Sequence, residues 1–245
     1  MTDLRRETAP GGVIETLALN TRDDASCAAA IDRVVRTWGR LDGVVWAGGA
    51  VRFGPLEEQG EEAFRHVMEE NVHTPRRLLQ LSAPIMREQG AGTLICVSSA
   101  AGRLALPLSS AFSASRYALE GLCDALRLEL SVFGVHVVLV EPGLLRERVG
   151  DRHLEKLTAE DIFGVTEDSA YARIAHSLAE AFHNLIGRAA NPEDVAQVIE
   201  TAMSSPSPRP RYAVSRSTAA LMWARKILPD RLIDHRLVKA MRLDD

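Results

Sequence analysis

The chain has 245 residues, 46% hydrophobic and 25% charged, with a net charge of −4 and its basic residues dispersed. That composition is sufficient for one full hydrophobic core, sets aside a nucleic-acid-binding surface, and predicts a single domain over residues 1–245. Cys27, Cys96 and Cys123 lie far apart with no paired spacing and no histidine cluster, which excludes a disulfide framework and a zinc site and predicts a reduced, cytoplasmic setting.

The first residues are polar, and no run along the chain reaches the roughly 18 apolar residues of a membrane span. Val13–Leu19 reads as a strand. Asp23 and Asp24 then offer capping oxygens to a helix whose apolar face is Ile31, Val34, Val35 and Trp38. Gly43–Ala47 is a second strand, predicted to pair directly with Val13–Leu19. A long helix follows from Phe64 to Ile85, kinked at Pro75. Thr93–Val97 and Val135–Val140 are continuous apolar runs on either side of a helix from Ser110 to Phe133, as parallel strands covered on both faces require. Residues 144–187 are charged and weakly periodic. Asn191-Pro192 is a helix start, Tyr212–Val214 a last short strand, and residues 217–243 two helices broken at Pro229. Trp223 and Met222 beside Arg225 and Lys226 add the signature of a membrane-surface helix, weighed against packing on the domain. Strands alternating with helices predict an α/β fold: a doubly wound parallel sheet in three α/β/α layers.

The run from Val97-Ser-Ser-Ala-Ala-Gly through Pro107 to Phe112-Ser-Ala-Ser-Arg116 and Leu122 resembles the active-site segment of the short-chain dehydrogenases/reductases. The resemblance covers nearly the whole chain from Val13 onward. In that family a Tyr-x-x-x-Lys pair exchanges a proton with the substrate oxygen and holds the nicotinamide ribose. The resemblance places Phe112 where the Tyr stands, Arg116 where the Lys stands, Ser99 at the catalytic Ser and Asn71 at the helix Asn that supports the Lys. Phenylalanine has no proton to exchange, and a guanidinium stays charged at ordinary pH, so neither replaces the phenol.

Other positions depart as well. No glycine-rich turn of the dinucleotide-binding type precedes the first strand, so the fold is expected as a truncated Rossmann-like sheet. Trp46-Ala-Gly-Gly49 replaces the family's Asn-Asn-Ala-Gly, and Glu147 stands where a Thr is expected near the nicotinamide. These departures predict no cofactor and no metal. They favour a repurposed, cofactor-independent cyclase, lyase or isomerase acting on an apolar carbonyl compound. Ser99, Asn71 and Arg116 would be its polar groups, Phe112, Trp46 and Glu147 would line its pocket, and residues 144–187 would form a lid. Two alternatives stay open: a non-catalytic subunit that binds a metabolite, a second copy or a full-length family partner, and an NAD(P)-dependent oxidoreductase with a misassigned start.

Overall fold

The computed structural model describes residues 5–9, 12–146, 148–149, 152–153, 157–187 and 189–241. Strands β1 (Arg5–Ala9) and β2 (Gly12–Thr16) form an antiparallel ribbon, followed by helix α1 (Asp24–Trp38). The Asp23 carboxylate accepts from the amides of Ala25 and Ser26, so α1 starts where its sequence supplies a cap. Strand β3 (Gly43–Trp46), helices α2 (Glu61–Met68) and α3 (Thr74–Gln89), strand β4 (Gly92–Val97), helix α4 (Ser110–Ser131) and strand β5 (Val135–Glu141) build the centre of the domain. Beyond them come the short strands β6 (Arg148–Val149) and β7 (Arg152–His153), then helices α5 (Ala159–Phe163), α6 (Ala172–Ile186) and α7 (Pro192–Ser204). Strand β8 (Arg211–Ala213) and helices α8 (Arg216–Ile227) and α9 (Asp230–Ala240) end the described chain.

The main sheet has the order β3-β4-β5-β8, and every pair in it is parallel. Alternation along the central strands fixes the layers. Leu94, Cys96, Val137 and Leu139 point into a core shared with α1, α3 and α4, while Ile95, Val138 and Val140 point into a second core under Val195 and Ala202 of α7. The result is the three-layer α/β/α arrangement expected from the continuous apolar strands. A third cluster, with Phe163, Leu178 and Ala179 at its centre, joins α5 and α6 to Leu108 and Met241.

Two expectations change. The first strand does not pair with β3: β2 pairs with β1, and among the described residues β3 has a neighbour only on its β4 side. Adjacent strands close a short loop, whereas pairing with β3 would require a crossover through α1, and loop-closure entropy favours the local ribbon. The long helix is also divided. A π-helical turn at Glu69–His73 separates α2 from α3, with the Thr74 amide reaching back five residues to the Glu69 carbonyl. Pro75 explains the break, because it has no N–H to give the Asn71 carbonyl.

Candidate functional site

The site gathers where β4 ends against the first turns of α4. Phe112 and Arg116 lie one turn apart on α4 and face the same way, and both side chains are buried. The Arg116 guanidinium carbon stands 5.2 Å from the centre of the Phe112 ring, and Nη1 donates to the Val97 carbonyl at 3.1 Å. Nε is buried and makes no hydrogen bond. Burial lowers the Arg116 pKa from 12.5 to about 10, against the upward pull of Cys96 and Glu120. Arg116 is thus a desolvated cation with donor capacity to spare.

Asn71, fully buried in the π-helical turn, locks the opposite wall. Its Nδ2 donates to the Ala50 carbonyl at 2.8 Å and to Ser115 Oγ at 2.9 Å, and its Oδ1 accepts from the Ala50 amide at 2.8 Å. The π turn therefore aims Asn71 at the loop after β3 and at α4 together. Gly49 sits between them with φ of 142°. A Cβ there would fall 2.5 Å from both Arg116 Nη2 and Asn71 Oδ1, so the close approach of loop and guanidinium requires glycine.

Ser99 follows β4 and is half-buried. Its oxygen caps the short 3₁₀ turn Ala100–Gly102 by accepting from the Ala101 amide at 3.1 Å, which leaves its hydroxyl proton available to donate. Trp46 is not free in a cleft: its ring folds over Gly48 and packs on the core under α1 and α3, with a buried and unpaired Nε1. The structure thus joins Asn71, Arg116 and Phe112 through Gly49 and Val97, sets Ser99 two residues beyond Val97, and turns Trp46 toward the core. Glu147 lies outside the described residues.

Two groups were not found from sequence. Phe112 ends an aromatic chain: its ring centre is 5.9 Å from Phe53, and Phe53 is 5.6 Å from Phe163 of α5 and 6.1 Å from Phe182 of α6. Helices α5 and α6 are therefore packed down on the loop beside the site. Below α4, Arg211 meets Glu120 at 3.1 Å, Asp124 at 2.6 Å and Glu141 at 3.4 Å. Glu120 and Glu141 are both buried. Burial, reinforced by Glu120 alongside, raises the Glu141 pKa from 4.5 to about 8, outweighing Arg211 and Arg103. The folded chain therefore holds a proton that the unfolded chain releases. The stabilising effect is fully present below about pH 4.5 and is lost as pH rises toward 8. Glu141→Gln is expected to flatten this dependence: the melting temperature of the variant, measured against the parent, should gain steadily across that window. A gap that stays constant with pH would show that Glu141 is ionised in the fold.

Residues 2–156 match the family described as short chain dehydrogenase, which is well over half of the chain. The chain belongs to that family. It is 38% identical over 208 residues to human 17-beta-hydroxysteroid dehydrogenase type 1, an alignment covering 85% of this chain and 62% of that protein. It is 28% identical over 233 residues to an NADPH-dependent 3-dehydrocapnine reductase of Ornithobacterium rhinotracheale, covering 93% and 80%. Among solved structures, a short-chain dehydrogenase from Streptomyces avermitilis superposes with a TM-score of 0.69 at 25% identity, over 93% of this chain and 78% of that one. The chain spans 62% and 59% of the length of the human and mouse 17-beta-hydroxysteroid dehydrogenases.

These relatives overturn the expected cofactor-independent cyclase, lyase or isomerase. Both similar proteins are oxidoreductases by name, one of them NADPH-dependent. Single departures such as Phe112 and Glu147 do not outweigh a similarity that extends over 85% of the chain.

Proposed function

We propose that this chain belongs to an NAD(P)-dependent oxidoreductase acting on an apolar substrate with a hydroxyl or keto group. The family membership and the names of its similar relatives support the reaction class. The observation that carries the site assignment is Arg116: a buried guanidinium with an unpaired Nε and, among the described residues, no hydrogen-bonded carboxylate, beside a loop where Gly48 and Gly49 are exposed and offer no side chains. That donor set fits the ribose end of a nicotinamide nucleotide, whose hydroxyls accept such bonds.

When bound, the nicotinamide supplies or accepts the hydride. The residues of the chain do the rest. Ser99 donates a hydrogen bond to the substrate oxygen and keeps its proton, Arg116 orients the ribose and offsets negative charge developing nearby, and Asn71 fixes the loop and helix that hold Arg116. Phe112 stands in the position of the family's proton-exchanging tyrosine and gives that side of the site an apolar wall, continued by Phe53. The proton must then come from solvent, with Ser99 holding the substrate oxygen by a hydrogen bond, which predicts slow turnover. The human relative's name makes hydroxy- and ketosteroids the first substrates to test. NADPH and NADH consumption with a ketosteroid panel should show slow, saturable turnover that falls by about 10²-fold in Ser99→Ala. Turnover equal in that variant would remove Ser99 from the chemistry, and none with any carbonyl substrate would sink the oxidoreductase reading.

A further inference from the structure

Helices α8 and α9 carry a surface that the oxidoreductase reading does not use. Their inner faces hold them to the domain: Thr218, Ile233 and Met241 are buried, and Leu237 packs on the cluster under α5 and α6. Their outer faces are built differently. On α8, Arg216, Ala220, Trp223 and Ile227 recur at helical spacing on one exposed stripe, with Trp223 68% and Ile227 57% exposed. Leu228 and Leu232, on either side of Pro229, are exposed as well. Arg231, Arg236 and Lys239 are exposed along α9 and Lys226 flanks the stripe on α8.

The charge of this segment opposes that of the chain. Residues 216–245 hold seven Lys and Arg against four Asp and Glu, a local excess of three positive charges in a protein of net −4. Among the described residues, Arg225 is paired with Asp230 at 2.7 Å, while Arg216, Lys226, Arg231, Arg236 and Lys239 make no ion pair with another described residue. Exposed tryptophan and aliphatic side chains flanked by unpaired cations form the pattern of a helix lying in a lipid interface. The indole sits at headgroup depth there, and the cations meet anionic lipid. No described helix is long and apolar enough to cross a membrane, so the contact would be with the surface.

We infer that the outer face of α8 and α9 docks this protein on an anionic lipid bilayer surface, with Trp223 and Ile227 as the inserted side chains and Lys226, Arg231, Arg236 and Lys239 as the headgroup contacts. This inference stands apart from the catalytic reading, since the site at Arg116 contributes none of its residues.

The test is co-sedimentation of the full chain with vesicles of phosphatidylcholine alone and of phosphatidylcholine mixed with phosphatidylserine. Binding is expected to the mixed vesicles only, weakened by added salt and accompanied by a blue shift of fluorescence that Trp223→Phe abolishes. Trp223→Ser with Ile227→Ser, and separately Lys226→Glu with Arg231→Glu, should each lower partitioning by about tenfold or more. All four residues are exposed, so the melting temperature of each variant should match the parent and exclude misfolding. The inference is overturned by equal partitioning to both vesicle types, by no binding, or by binding that survives both double substitutions. Self-association without lipid that Trp223→Ser abolishes would also overturn it, by marking the face as a contact between copies.

Discussion

Replacing Phe112 by tyrosine is expected to raise turnover by roughly 10²- to 10⁴-fold, the usual worth of a positioned general acid. The ring is already where a phenol would be useful, buried at the head of α4 with the Arg116 cation over its face. A hydroxyl added to it would sit beside a group that favours its ionised form, which is how a phenol pKa is brought within working range. The comparison should be made with saturating cofactor and a ketosteroid substrate, following the rate against pH. The variant should show a new ionisation in its pH–rate profile that the parent lacks. A rate unchanged within a few-fold, with the fold intact, would show that residue 112 is remote from the reacting oxygen.

Removing Asn71 is expected to produce the largest loss of stability. Its amide, itself fully buried, accepts from the Ala50 N–H and donates to the half-buried Ala50 carbonyl and to the Ser115 hydroxyl oxygen. Asn71→Ala would leave the Ala50 N–H and carbonyl unpaired at about 1–3 kcal/mol each, while Ser115 keeps its own bond to the Phe112 carbonyl, so a total of about 2–4 kcal/mol is expected after partial relaxation. For a domain of this size that corresponds to a fall in melting temperature of about 4–16 °C. The same change frees the loop at Gly49 and so loosens Arg116, and cofactor affinity should fall with it. A variant that melts within about 2 °C of the parent would mean that water replaces the amide without penalty.

The sheet was legible because its strands are apolar on both faces, and Thr93–Val97 and Val135–Val140 admit no other use of so many consecutive buried side chains. Helix starts were legible where a single side chain defines them, as at Asp23, and at Asn191, whose amide is held by the Asp194 carboxylate at 2.7 Å. Phe112, Arg116, Ser99 and Asn71 could be nominated as candidates because they fall in one resembling segment and one helix, and Phe112, Arg116 and Asn71 meet around Gly49 and Val97. What was not legible depends on long-range packing. Phe53, Phe163 and Phe182 meet from three distant parts of the chain, and no spacing announces them. Gly49 looks like any loop glycine until the guanidinium and the Asn71 amide are seen on either side of it. The pairing of β2 with β1 escaped for a related reason: the apolar strand pattern fixes that a segment is a strand and is silent on its neighbour. Trp46 was assigned to a pocket from its bulk, whereas strand alternation turns its side chain to the core face of β3.

In the proposed function, Arg116, buried beside Gly49, holds a nicotinamide nucleotide for an oxidoreductase. This role is tested most directly by titrating the purified chain with NADPH and NADH while following thermal stability, in the parent and in Arg116→Ala. Binding to the folded state must raise stability by mass action. A cofactor-dependent rise in melting temperature is expected for the parent, with an affinity about tenfold weaker in Arg116→Ala. No stabilisation of the parent at millimolar cofactor, or identical stabilisation of the two proteins, would contradict it.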